Sequence, residues 1–244
     1  MSLGEILDGA LAIYRRHFGT FVSIAIVCEG APAVLNTYVM LGGGALRHPM
    51  LWLLSFVLSG LGGLIAAAAT VWVISEAYLG REPVLADALT FALGKMVPLF
   101  IAGVAKYLVI SLGLLFFFIP GVIIACGYAV VAQSVVLEDL RSGIDGLGRS
   151  WELTRGYKGK AFVLGLVVFI LILLPFVVAG ALTVFLPYWE VVLSVGGQLL
   201  QLIIYPVVSC TFTLLYYDLR VRKEGFDLDY LSRQIGSGVQ TAEA

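Results

Sequence analysis

Two ionisable side chains stand where water should not reach them. Glu29 falls inside the apolar stretch 18–41 and Lys106 inside the apolar stretch 96–119. Both stretches read as spans entered from the same side. At a rise of 1.5 Å per residue, both charges lie roughly 15 Å deep, near the middle of a bilayer. A charge there costs at least a few kcal/mol, so it takes a partner or faces a water-filled cavity. Similar depth and opposite sign predict a Glu29–Lys106 pair. Two roles fit such a pair: a polar site for a headgroup, an ion or a proton, or a buried pair that sets helix registry.

A second constellation is basic. The stretch 138–160, EDLRSGIDGLGRSWELTRGYKGK, is the longest polar interruption of the chain and holds five of its 15 Lys and Arg residues. Its Arg149, Arg155, Lys158 and Lys160, with Arg220, Arg222 and Lys223 further on, form a candidate surface for anionic lipid or a partner protein. Each cation beside a span attracts anionic headgroups by about 1 kcal/mol. Trp151 suits the membrane interface. The competing reading is that these cations only fix topology, and pairing of Arg155 with Glu152 and Arg222 with Glu224 would weaken the lipid case. The net charge of −1 gives no bulk attraction for nucleic acid.

Other chemistries lack their residues. There is no glycine-rich phosphate loop, nucleophile elbow or metal-ligand spacing. Cys28, Cys126 and Cys210 fall in apolar stretches without C-x-x-C spacing and read as packing residues. No cofactor and no metal are expected. Gln198, Gln201 and Tyr205 share helical spacing, which suits hydrogen bonds between helices or a polar path.

The elements that position these residues follow from composition. The chain is 60% hydrophobic and 13% charged, with a mean hydropathy of +1.00. That is an integral membrane protein. The apolar runs do not alternate, so the spans are helical and not barrel strands. The expected fold is all-α: six transmembrane helices at 18–41, 51–78, 96–119, 122–137, 161–186 and 189–217. Short interfacial amphipathic helices lie on the cytoplasmic side. No cleavable leader is expected, so the first span stays in place. Ser2-x-x-Glu5 fits a capping box, and Ser142-x-x-Asp145 fits a second cap. Pro83 suits the first turn of the second amphipathic segment. Pro120-Gly121 predicts a tight reversal, Pro175 a kink. Ile144, Leu147 and Trp151 predict one apolar face. The second span, rich in Gly and Ala, should sit centrally because small residues let helices approach closely. Residues 1–225 form the membrane domain and 226–244 a polar tail.

Orientation follows from the positive-inside rule. With both termini cytoplasmic, every Lys and Arg of the chain except Arg47 and Lys106 falls on the cytoplasmic side. The expected location is the cell membrane, multi-pass. A loose internal repeat is also visible: Asp8, Asp87 and Asp145 each sit in an amphipathic segment before a pair of spans.

Four segments carry a family resemblance. They are Gly4-Glu5-Ile6-Leu7-Asp8 with Tyr14-Arg15-Arg16; Ile119-Pro120-Gly121; Arg149-Ser150-Trp151-Glu152-Leu153-Thr154-Arg155-Gly156; and Leu215-Tyr216-Tyr217-Asp218-Leu219-Arg220-Val221-Arg222-Lys223-Glu224-Gly225-Phe226-Asp227. The chain resembles the membrane-domain family named after glycerophosphoryl diester phosphodiesterases. The resemblance implies a stand-alone, six-span membrane module. Phosphodiesterase chemistry in fused relatives belongs to a separate barrel of about 250 residues. With His17 and His48 expected on opposite sides of the membrane, the chain is expected not to be an enzyme.

Overall fold

The computed structural model describes residues 1–182 and 189–224; the side chains of Pro175, where a kink is expected, and of Gln201 lie outside what is described, as does the tail at 226–244. All regular structure among the described residues is α-helical. Among the described residues, four helices are long and apolar enough to cross a membrane: Phe18–Leu41, Pro49–Tyr78, Leu85–Phe116 and the interrupted Phe118–Leu137. A bent pair, Asp145–Thr154 with Lys158–Leu173, makes a fifth if it counts as one span.

The first helix, α1 (Leu3–Arg16), starts as its sequence dictates. The Glu5 N–H donates to Ser2 Oγ at 3.2 Å, and the Ser2 N–H donates to Glu5 Oε2 at 2.9 Å. Ile6 and Ala10 are its buried residues. His17 breaks it from α2 (Phe18–Leu41).

α2 packs on α3 (Pro49–Tyr78) through a device that Pro32 creates. Pro32 has no N–H, so the Cys28 carbonyl four residues earlier loses its helical donor. Gly62 of α3 lies against that carbonyl, and a Cβ on Gly62 would collide with the Cys28 oxygen. Only glycine allows this approach. The second half of α3 is the centre of the bundle: Ala66, Ala68, Ala69, Thr70, Val71, Val73, Ile74 and Ser75 are buried.

α4 (Leu85–Phe116) absorbs both the second amphipathic segment and the third span into one helix. Pro83 precedes it instead of occupying its first turn, because Val84 is the N-cap. The reversal into α5 (Phe118–Gly127) is made by Phe117 in extended conformation, φ −152° and ψ 122°. Pro120 therefore lies inside the first turn of α5 and not at the reversal. Gly121 is needed there, since a Cβ on it would come within 2.6 Å of the Leu114 nitrogen.

The fourth apolar stretch breaks after Gly127 and resumes as α6 (Val131–Leu137). A helix break exposes backbone polar groups, and these need partners when buried. They are supplied by α7 (Asp145–Thr154). Ser150 Oγ donates to the Gly127 carbonyl at 2.9 Å and accepts from the Val130 N–H at 3.3 Å. Thr154 Oγ1 lies 3.0 Å from the same carbonyl and 2.9 Å from that of Ser150. Both hydroxyl residues are fully buried. The Trp151 ring covers Gly127, where any Cβ would strike it.

α7 departs from its sequence reading in two ways. It starts at Asp145, and Asp145 reaches back to accept the Ser142 N–H at 3.0 Å, so Ser142 is not its cap. Its buried face is Gly146, Leu147, Ser150, Leu153 and Thr154, while Ile144 is 59% exposed. The hydroxyls that serve the broken span thus displace the purely apolar face. Gly156, at φ +89°, makes the turn into α8 (Lys158–Leu182), which leaves at 103°. α9 (Trp189–Glu224) runs unbroken through the last apolar stretch and most of the C-terminal signature. The three repeat segments end up unlike one another: α1 is a separate helix, the second is fused into α4, and α7 is bent away from α8.

Candidate functional site

The basic residues converge on one end of the bundle, where most are already engaged. Arg149 Nε donates to the Glu138 carboxylate at 2.7 and 3.0 Å, and its Nη2 pairs with Glu224. Tyr216 Oη donates to the same Glu138 at 2.8 Å. Arg220 Nε donates to Glu224 at 2.8 Å. Asp218, 4% exposed, accepts from Lys160 at 2.6 Å, from Arg222 at 3.0 Å and from the Met1 ammonium at 2.5 Å. Lys158 stacks over the Trp151 ring with Nζ 3.3 Å from its centroid. The network ties α1, α6, α7, α8 and α9 together.

This corrects the sequence reading of a free basic surface. Arg149, Lys158, Lys160, Arg220 and Arg222 face protein groups, and Trp151 packs on Gly127 and Tyr128. Glu152 lies 3.9 Å from Arg149 and not beside Arg155, and Arg222 pairs with Asp218 and not Glu224. Of the eight residues, Arg155 and Lys223 stay exposed without an ion pair among the described residues. Burial alone would raise the Asp218 carboxyl. The hydrogen bonds from Lys160, the N-terminal ammonium and Arg222 outweigh that and hold it below the usual carboxylate range.

The two mid-span charges behave in the opposite way. Glu29 and Lys106 make no ion pair with each other; they line different cavities. The expected pair fails because α2 and α4 carry them to different sides of Tyr205, which lines both cavities.

Lys106 lines a groove of about 820 Å³ between α3, α4, α5, α6, α8 and α9. Its walls are mainly apolar, with Ile110, Leu114, Val122, Phe162, Leu166 and Phe169 among them. Phe118 and Phe169 are exposed on the bundle's flank, so the groove reaches the side of the molecule. A few polar groups converge in it: Lys106, Gln133, Ser209 and Tyr205. Gln133 is 4% exposed, yet its Oε1 has no hydrogen-bond partner. Leaving such a group unpaired costs about 1–3 kcal/mol. An apolar pocket of a few hundred Å³ with a few convergent polar groups is the usual form of a ligand site. Gln133 and Ser209 had a sequence signal that went unread: each is polar in an otherwise apolar run.

Glu29 lines a smaller cavity of about 170 Å³ between α2, α3 and α9, with Asn36, Ser59, Thr70, Gln198 and Tyr205. Gln198 Nε2 donates to Thr37 Oγ1 at 3.1 Å, so it both joins α9 to α2 and faces the cavity. Cys28, Cys126 and Cys210 are free thiols; Cys126 lines the larger groove. No group of His, Cys, Asp and Glu suited to a metal ion occurs among the described residues. No protein-family model, curated protein or solved structure matches the chain.

Proposed function

We propose that this protein is a non-enzymatic, multi-pass module of the cell membrane that holds an anionic lipid in the Lys106 groove. The observation that carries the reading is the groove itself: an apolar trough reaching the bundle's flank, with one cation and one unpartnered amide oxygen at its polar point. Acyl chains match the Leu, Val and Phe walls. An anionic group drawn to that depth would neutralise Lys106, which has no ion pair among the described residues, and a hydroxyl on the same ligand would serve Gln133 Oε1.

The reading includes six spans, with α8 and α9 as the last two and both termini cytoplasmic. The concentration of Lys and Arg at the end bearing α1, α7 and the end of α9 supports that orientation. It also places the chain with the membrane-domain family of glycerophosphoryl diester phosphodiesterases, as a module without the catalytic barrel. In support, the motif from Arg149 to Gly156 and the segment from Leu215 to Glu224 meet at the Arg149–Glu224 pair. His17 and His48 flank opposite ends of α2 and α3, which disfavours a two-histidine phosphodiesterase centre. A protein partner would dock on Arg155 and Lys223, the two cations of the eight candidate residues that are exposed without an ion pair among the described residues.

The test is mass spectrometry of lipids that co-purify in mild detergent, compared with the bulk membrane. Wild type should be enriched in one anionic lipid class, and Lys106→Met should lose that enrichment by about tenfold, the worth of roughly 1.4 kcal/mol. A wild-type profile equal to the bulk membrane, or enrichment that survives Lys106→Met, would overturn the reading.

A second reading, transport through the level of Glu29, is favoured by the separate cavity around that carboxylate.

A further inference from the structure

Glu29 has a different problem from Lys106. Its carboxylate lies midway along an apolar helix, and no cationic side chain pairs with it among the described residues. An isolated carboxylate in a low-dielectric interior neutralises itself by taking up a proton or by holding a cation. The surroundings favour the cation. The cavity walls supply Asn36, Ser59, Thr70 and Gln198, all of which carry neutral oxygen ligands. One carboxylate with neutral oxygens suits a single positive charge. Calcium takes six to eight oxygens, often several carboxylates, and magnesium keeps an octahedral shell. The volume of 170 Å³ admits an ion with several of its waters, since one water needs roughly 10–15 Å³.

The seat is also built for the carboxylate. A Cβ on Gly63 would stand 3.4 Å from Glu29 Oε1, and one on Gly62 would stand 3.3 Å from the same atom. Gly62 and Gly63 of α3 thus face the carboxylate at contact distance. The polar groups are not gathered in a ring. Ser59 and Thr70 are about 16 Å apart along α3 at 1.5 Å per residue. Asn36 stands two turns beyond Glu29, toward the 42–48 loop, and Gln198 is tied to Thr37 at that level. Ser59 and Asn36 therefore lead from the carboxylate toward the end of the bundle opposite the ion-paired one, while Thr70 lies about two turns of α3 to the other side.

We infer that the Glu29 cavity is a binding site for a monovalent cation, with Glu29 as its charged ligand and Asn36 and Ser59 on its approach. The site is independent of the lipid groove, although Tyr205 walls both.

The experiment uses the full chain in detergent or in nanodiscs. Thermal unfolding is followed in sodium, potassium or N-methylglucamine chloride at one pH and one ionic strength. A ligand at a hundred times its Kd should raise the Tm of wild type by roughly 5–10 °C. That rise should appear in sodium or potassium, be absent in N-methylglucamine, and vanish in Glu29→Gln. Asn36→Ala should weaken it. Should Glu29→Gln fail to fold, radioactive sodium binding to wild type decides: one saturable site, displaced as the pH falls, is the expected result. A Tm that ignores cation identity would overturn the inference, as would absence of saturable binding or a response that survives in Glu29→Gln. A response to pH alone means the carboxylate holds only a proton, which also overturns it. Lys106→Met should keep the cation response, so failure of the lipid reading leaves this one standing.

Discussion

At the basic end of the bundle Asp218, Glu138 and Glu224 have each found cations, whereas in the middle two opposite charges make no ion pair among the described residues. Asp218 gathers three cations and Glu138 and Glu224 share Arg149, all at the ends of helices that would otherwise splay. Glu29 and Lys106 sit at similar depth and still face separate cavities. Long cationic side chains near solvent can search for partners. Charges held in the apolar part of a packed helix face only what the helix orientation presents. The difference teaches that charge at the basic end ties helices together, while the two mid-span charges carry no ion pair among the described residues and face cavities instead.

The largest effect expected within the paired end is at Asp218. Replacement by Asn leaves Lys160 without its ion-pair partner and should cost about 2 kcal/mol. That is below the 3–5 of a fully buried pair, because Arg222 and the N-terminus are partly in solvent. Calorimetry or thermal unfolding reads it. The same residue sets a pH dependence. Its folded pKa lies below the ordinary carboxylate value, so its stabilisation is present above about pH 4 and is lost as pH falls through the depressed value. Asp218→Asn should flatten that acid limb. An unchanged limb would mean that the triad contributes nothing.

A loss at least as large is expected where hydroxyls mend the broken span. Ser150→Ala with Thr154→Val strips the partners from the Gly127 carbonyl and the Val130 N–H, at about 1–3 kcal/mol for each group left unpaired. Hydrogen exchange at Val130 should quicken. If it does not, protection of the Val130 N–H does not depend on Ser150 and the motif needs another explanation.

The smallest effect sharpens the contrast most. Arg155→Ala with Lys223→Ala removes two exposed cations that carry no ion pair among the described residues and should change stability by less than about 0.5 kcal/mol. Co-purified lipid should also be unchanged. A loss of lipid in this double variant, with Lys106→Met silent, would move the lipid site back to the basic end.

The sequence alone determined that the chain is helical and membrane-embedded, because hydropathy and helix length are properties of local stretches. The bounds of α2 are those read from its apolar run, and the Ser2–Glu5 box caps α1 because both partners lie within one turn. The cations were legible as a group gathered toward one end. Their partners were not, since Arg149 meets Glu224 and Lys160 meets Asp218 across long separations. Only the tertiary structure decided those pairs. It alone showed that Ser150 and Thr154 serve the carbonyl of Gly127, and that Gln133 faces a groove with Lys106. It also separated Glu29 from Lys106. Depth along a helix follows from counting residues, but the direction a side chain faces depends on how the helices rotate against one another. That rotation is fixed by packing details such as Gly62 against the carbonyl that Pro32 leaves without a donor.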